Sequence, residues 1–306
     1  MRSTFLLLFL MPLVSYSELS DNLRGTLDLS TRTQLADGGS ETNWFHFVGI
    51  DTHKVFTDSE GDWSTLVAQV YWVHNDPENG KSEWDFTTRM LNLNITGLKR
   101  LDENLPNLRV GHYEIPYGLE HLINTNGTLH DFIHGPNLGL KPDWGIFLND
   151  TFDSWEYEFG LSRGTGMHYR RSGGHHALAG RVGTPSHRDL VLGASFYSAD
   201  LASGERTRFG IDAQRYSGAF GLLADLSVGE DGEDSVTNTL FEANWRNPTE
   251  SWFLYLQGVR MDKDTAVTTG STGFRYAPDS HWSFDGQVKK VESSDGQLSL
   301  QLRYRF

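Results

Sequence analysis

Residues 297–306 read QLSLQLRYRF, and their alternation decides the fold. Leu298, Leu300, Leu302, Tyr304 and Phe306 fall on one beat, with Ser299, Gln301, Arg303 and Arg305 on the other. A period of two places one set on each face of a β-strand. The same beat recurs upstream. Trp155, Tyr157, Phe159 and Leu161 alternate with Glu156, Glu158, Gly160 and Ser162. Phe209, Ile211 and Ala213 alternate with Arg208, Gly210, Asp212 and Gln214. Phe220, Leu222, Ala224, Leu226 and Val228 bracket Asp225 and Ser227, and Trp282, Phe284, Gly286 and Val288 interleave with Ser283, Asp285, Gln287 and Lys289. Helical spacing is scarce.

Turn-forming stretches separate these runs: HNDPENGK, YSG, EDGEDS, RNPTES, APDSH and ESSDG. About sixteen strand-like segments result, starting near residues 23, 43, 62, 82, 107, 143, 154, 175, 189, 206, 219, 235, 251, 264, 281 and 297. The mean repeat of about 18 residues fits a strand of roughly 10 residues plus a turn. Counts of 14 or 12 strands also fit. Apolar parity is mixed at 43–57 and 82–95, and in the second stretch Met90 and Leu91 fall on opposite beats, which predicts a bulge.

Composition narrows the class. The 306 residues carry a formal net charge of −14 and no cysteine, which excludes disulfides, cysteine–zinc sites and thiol catalysis. An acidic chain lacks the basic face that nucleic acid requires. The N-terminus, MRSTFLLLFLMPLVSYS, has a basic residue, a short apolar core, and Ser15 and Ser17 as small residues before a cleavage point. It reads as a secretory signal peptide over residues 1–17, leaving residues 18–306 as a single domain. Its apolar run is shorter than the roughly 20 residues of a spanning helix.

Many alternating strands fit a soluble sandwich or a membrane barrel. Aromatics at strand ends (Trp63, Trp72, Trp84, Trp144, Trp155, Trp245, Trp252) match the interfacial girdles of a transmembrane barrel. The second face carries Arg, Asp, Glu and Gln, too polar for a dry core. An all-β closed antiparallel barrel in a bacterial outer membrane is the expectation, because an open sheet edge in lipid leaves backbone groups unpaired. Connections after strands 1, 3, 5 and 7 are expected to be external and longer than those between them; TGLKRLDENLPN, after strand 4, is an exception.

The longest connection, the third on that side, is GLEHLINTNGTLHDFIHGPNLGLKPD (118–143). Leu122, Ile123, Leu129, Phe132 and Ile133 could anchor it to a wall, and Glu120, His121, Asn124, Asn126, His130, Asp131, His134 and Lys141 could constrict an aqueous path. An external lid is the alternative. Parity puts Glu156, Glu158, Arg181, Arg208, Asp212, Asp225, Asp285, Lys289, Arg303 and Arg305 on the lumen side, a mixture of signs rather than a ring of one sign.

The segment LRVGHYEIPYGLEH (108–121) resembles the phosphate-selective porin O/P family, in which an R-[VI]-G-x-[FY]-x-x-P-[FY]-[GS]-x-E strand enters a pore-constricting third loop. Arg109, Gly111, Tyr113, Pro116, Tyr117, Gly118 and Glu120 hold the matching positions. KPDWGIFLNDTFDSWEYEFGLSRGTG is similar to the hairpin that follows, with Asp143 and Gly145 ahead of a strand that ends in a Gly-rich loop. The resemblance covers residues 105–166 and implies a sixteen-stranded, trimeric porin with the third loop turned inward. It does not carry a phosphate preference, since Lys141 is the one Lys or Arg of this loop. Tyr304 and Phe306 resemble the C-terminal signal read by bacterial barrel-assembly machinery.

The function expected is passive diffusion of small hydrophilic solutes or ions, with no enzyme activity, cofactor or metal. Rival readings are a non-conducting scaffold or sheath for a partner, and an outer-membrane hydrolase using Ser172, His175, His176 and Asp131. Adjacent strand residues point to opposite faces, which counts against the His pair acting together. His168, His175 and His176 lack recognised metal spacing. Asn94, Asn126 and Asn149 open glycosylation sequons, discounted for a bacterial barrel.

Overall fold

The computed structural model describes residues 22–36, 42–76, 83–125, 127–167, 174–292 and 294–306. Sixteen strands follow in order: β1 (Leu23–Ala36), β2 (Thr42–Asp58), β3 (Gly61–Asp76), β4 (Glu83–Ile95), β5 (Asn107–Glu114), β6 (Pro142–Thr151), β7 (Glu156–Ser162) and β8 (His176–Gly183); then β9 (Leu190–Leu201), β10 (Gly204–Ser217), β11 (Phe220–Asp231), β12 (Asp234–Arg246), β13 (Trp252–Asp262), β14 (Ala266–Tyr276), β15 (Trp282–Val291) and β16 (Gly296–Arg305). Every start falls within two residues of its expected position. Each strand pairs antiparallel with the next, and β16 pairs with β1, closing the barrel. Closure leaves no sheet edge. No helix is long and apolar enough to cross a membrane.

The two faces differ as the alternation requires. On β16, Leu298, Leu300 and Leu302 are exposed while Ser299, Gln301 and Arg303 are buried. On β11, Phe220 and Leu222 are exposed at 64% and 51%, and Ser227 between neighbouring apolar residues is fully buried. A soluble protein hides its apolar side chains; here they form the exposed surface, as in a barrel solvated by lipid. Aromatic rings meet along the turn-side rim of that face. Phe152 meets Trp155 at 4.5 Å, Trp252 meets Tyr276 at 4.6 Å and Trp282 meets Tyr304 at 4.6 Å.

The expected bulge is present. The β3–β4 register runs Gln69↔Met90 and then Val70↔Thr88, so Arg89 is the extra residue. The long connection after β4 is a short 3-10 turn, Gly97–Arg100, tied to neighbouring strands by Lys99 Nζ donating to Asp150 Oδ1 at 2.6 Å and Arg100 Nη1 to Asp58 Oδ2 at 2.6 Å. The alternation of long and short connections stops halfway. Those after β9, β11, β13 and β15 are only two to four residues long. The segment expected as the third loop spans 115–141, because Pro142 and Asp143 already belong to β6. It contains one short helix, α1 (His134–Leu138).

Candidate functional site

Segment 115–141 is built into the barrel by two apolar contacts and a row of hydrogen bonds. At its two ends, Ile115, Tyr117 and Leu138 pack with Ala177 and Ala179 of β8 and Tyr197, Ala199 and Leu201 of β9. In its middle, Leu119 and Phe132 pack on Leu223 of β11, Leu240 of β12 and Val259 of β13. These strand residues lie on the otherwise polar face, so apolar patches appear on it where the segment docks.

The family-like motif forms the entry to the segment. Arg109 pairs with Glu158, and its guanidinium carbon lies 3.8 Å from the Tyr113 ring centroid. Gly111 sits opposite Asn92 on one side and Gly145 on the other. The chain leaves the strand at Ile115 and Pro116, both buried, with the Ile115 N–H donating to the Lys141 carbonyl at 3.0 Å. Tyr117 Oη lies 2.6 Å from Ser227 Oγ, and burial pushes its phenol pKa up. Gly118 takes a positive φ of 58°, and a Cβ there would stand 2.4 Å from Asp225 Oδ2. Its N–H donates to Ser195 Oγ at 3.0 Å, and that of Leu119 to Asp225 Oδ2 at 3.1 Å. Glu120 is buried and paired with Lys141.

Strand side chains then grip the segment's main chain. Gly127 O accepts from Gln301 Nε2 at 2.6 Å and Arg303 Nη1 at 3.1 Å. Thr128 O accepts from Arg32 Nη2 at 3.0 Å, Leu129 O from Gln287 Nε2 at 2.9 Å and Asp131 O from Gln257 Nε2 at 3.1 Å. Pro136 O and Asn137 O accept from Arg206 Nη1 at 3.1 and 3.4 Å. Asn137 Oδ1 takes Arg208 Nε at 2.9 Å and Asn238 Nδ2 at 2.7 Å. His130 Nε2 meets the buried Glu242 at 2.5 Å.

Most polar-face charges expected from parity are held in pairs. Arg181 binds Asp212 through Nε at 3.0 Å and Nη2 at 2.7 Å, with Glu156 3.9 Å away. Arg208 reaches Asp231 at 2.5 Å, Arg275 reaches Asp285 at 2.7 Å, and Arg303 reaches Asp28. Glu158 takes Arg109 and, at 3.1 Å, His121. Arg305, on the rim, stands 3.8 Å from Asp28 and 3.6 Å from Asp51. Lys289 makes no ion pair among the described residues.

Two spaces remain. The larger, about 670 Å³, lies between residues 127–131 and 140–142 on one side and strands β1–β4, β15 and β16 on the other. Its lining includes His130, Asp131, Lys141 and Lys289 from the expected set, together with Arg32, Phe45, Phe47, Tyr71 and Arg89. The smaller, about 240 Å³, is bordered by Arg109, Tyr113, His121, Glu156, Glu158 and Arg181. Glu120, Asn124, Arg208, Asp212, Asp225, Asp285, Arg303 and Arg305 border neither. Asn124 instead accepts from Arg89 Nη1 at 3.1 Å.

Asn126, His168, Ser172 and the 1–17 segment lie outside the described residues, and of His134 only the main chain is described. His175 Nδ1 stands 3.5 Å from Asp200 Oδ1, while the next residue, His176, opens β8. No metal-holding cluster of His, Cys, Asp and Glu occurs among the described residues. Asp143, noted in the sequence for its place before a strand, accepts the Gly164 N–H at 2.5 Å and the Thr165 N–H at 3.2 Å, fastening the loop after β7.

Sequence reasoning missed Arg32, Phe45, Phe47, Tyr71 and Arg89. For Phe45 and Phe47 the signal was the mixed parity at 43–57, and for Arg89 it was the bulge. Trp44 and Ile50 occupy the exposed face of β2, while Phe45 and Phe47 occupy the polar one.

The closed antiparallel barrel has counterparts among solved structures. An anion-selective porin from Comamonas acidovorans superposes with a TM-score of 0.64 at 13% identity, over 93% of this chain and 99% of that one. The fold is that of the porins. Pseudomonas putida OprB matches with a TM-score of 0.71 at 7% identity, over 93% of this chain and 94% of its own. A mutant of the Rh. blastica porin matches at 0.62 and 10% identity, covering 93% of this chain and all of its own. No family model matches the sequence, and no curated protein matches it. The likeness to these porins is one of fold.

Proposed function

We propose that the chain is an outer-membrane porin, giving passive diffusion of small hydrophilic solutes or ions through a water-filled barrel narrowed by segment 115–141. The observation that carries this reading is the row of main-chain carbonyls, from Gly127 to Asn137, held by side chains of β1, β10, β13, β15 and β16. In a single-layered closed barrel, side chains as buried as Arg208 and Ser299 can be covered only from within. On this reading the polar face is the lumen wall, and the segment attached to it from β8 round to β1 lies inside. The exposed apolar face is suited to lipid. The paired charges on this face mix both signs and form no ring of one sign, in keeping with a weakly selective pore. The trimeric state implied by the motif belongs to the same proposal.

Planar-bilayer recording of the purified protein tests it. Stepwise conductance is expected, rising on deletion of residues 122–134. Absence of steps would remove the channel reading in favour of a non-conducting barrel that serves a partner. Steps unchanged by the deletion would remove the constriction.

A further inference from the structure

Segment 115–141 touches three strand carboxylates, and one of them stands apart. Glu158 of β7 meets His121 of the segment and is also paired with Arg109. Asp225 of β11 accepts the Leu119 N–H and is only half-buried. Glu242 of β12 is fully buried. Its Oε2 lies 2.5 Å from His130 Nε2 and accepts from Gln257 Nε2 at 3.1 Å, and its Oε1 accepts from Asn244 Nδ2 at 2.8 Å. No Lys or Arg of the described residues stands within ion-pair distance of it. Burying a carboxylate with no cation beside it is costly, and two amide donors offset only part of that cost. His130 is the one contact that can bring a positive charge.

The segment presents that imidazole in a fixed place. Its ring centroid lies 4.9 Å from Phe132 of the segment and 5.5 and 4.6 Å from Phe253 and Tyr255 of β13. The other ionisable groups around the pair are engaged elsewhere. Asp131 borders the 670 Å³ space, as do Arg32 of β1 and Lys289 of β15. Arg246 of β12 lies over Phe253 and 3.9 Å from Glu250. Arg275 of β14 holds Asp285 of β15. Tyr255 Oη takes a hydrogen bond from Gln287, and Tyr216 of β10, beside Asn244, is exposed.

We propose that docking of segment 115–141 is linked to a proton held between His130 and Glu242, so that acid fastens the segment and rising pH loosens it. The sign follows from the charges. With the proton, the pair is neutral overall, whether as imidazolium with carboxylate or as imidazole with carboxyl. Without it, docking encloses a bare negative charge, whereas the undocked segment leaves Glu242 to water. The proton is therefore held more firmly in the docked state, and its loss favours release. Histidine is the side chain whose charge ordinarily changes between pH 5 and 8, which sets the range to examine. A path narrower in acid is the consequence in a conducting barrel; that consequence rests on the reading of the segment as a constriction, and the proton link does not.

A spin label tests the link without a current. The chain has no cysteine, so a nitroxide can be attached at Asp131→Cys, on the side chain that borders the open space. In the folded, detergent-solubilised barrel the label should give broad lines at about pH 5.5 and, reversibly, narrower ones at about pH 8. Glu242→Gln keeps the shape and removes the charge, and should hold the lines broad at both values. Glu242→Met serves if Glu242→Gln does not fold. Asp225→Asn should leave the response in place, since water reaches that carboxylate. Lines that do not change with pH, or a change that survives in Glu242→Gln, overturn the link. In planar bilayers, current should rise from about pH 5.5 to about pH 8 in the wild type and not in Glu242→Gln. A spin-label response in a barrel that does not conduct upholds the link and removes the porin reading, and conductance with no spin-label response does the reverse.

Discussion

Arg303 of β16 and Asp28 of β1 are joined across the seam where the barrel closes. Nε of Arg303 donates to Asp28 Oδ1 at 2.8 Å and to Oδ2 at 3.1 Å, and the carboxylate is fully buried. The same guanidinium donates through Nη1 to Gly127 O. One side chain thus fastens the last strand to the first and segment 115–141 to both. Removing one member of a buried pair leaves the other uncompensated, at a cost of about 3–5 kcal/mol. Asp28→Asn and Arg303→Gln are expected to lower the denaturant midpoint of the detergent-solubilised barrel. A double-mutant cycle should show strong coupling, and additive effects would assign the stability elsewhere.

The apolar dock in the middle of segment 115–141 makes a separate expectation. Leu119 is fully buried against Leu223, Leu240 and Val259. Leu119→Ala should weaken docking by about 2–5 kcal/mol. The sixteen strands do not depend on this residue, so the circular-dichroism strand signal should persist while open-channel current becomes noisy. A quiet current identical to wild type would show that the hydrogen bonds alone fix the segment.

Position can be tested chemically, because the chain has no cysteine. Asn137 Nδ2 donates to Ser227 Oγ at 3.1 Å, linking α1 to β11. With Cys at both positions, a short bismaleimide should cross-link them in intact outer membranes and shift the unreduced, denatured band. A pair of Cys at Asn137 and Ser30, on a different part of the wall, should not react. The reverse pattern would place the segment elsewhere.

A fourth expectation concerns the width of the path. Gly49 sits opposite Tyr71 in the β2–β3 register, and a Cβ at Gly49 would stand 2.0 Å from Tyr71 Cδ1. The ring lies over this glycine, with Tyr71 Oη donating to Asp51 Oδ1 at 2.6 Å. Gly49→Ala should push the ring toward the 670 Å³ space and lower single-channel conductance, and overpacking of this kind costs about 1–3 kcal/mol. Tyr71→Ser in the same chain should restore the current. If Gly49→Ala leaves conductance unchanged, Tyr71 does not border the conducting path.

The strands were legible because each exposes one face to an apolar medium and one to a polar interior, which prints a period of two. The bulge at Arg89 was legible for the same reason: one extra residue inverts the beat at Met90 and Leu91. The aromatic residues on the polar face of β2 were not read. Phe45 and Phe47 put apolar residues on both beats of β2, which resembles a weak strand until the second face is known to border a cavity. The ion pairs were hidden for another reason. Arg303 and Asp28 are 275 positions apart, and only the closing register brings them together. Parity places a charge on a face, but its partner depends on neighbouring strands and on the loop that covers them.

The grip on segment 115–141 has an evolutionary side. From Gly127 to Asp131 the barrel holds carbonyl oxygens, which every amino acid possesses, while Asp131 directs its own side chain into the open space. Substitution at such a position can alter the lining of that space without unfastening the support. Arg32, Gln257, Gln287, Gln301 and Arg303 must stay as they are for the support to hold, while the edge they hold can drift. A lineage built this way can change the chemistry of that edge one residue at a time.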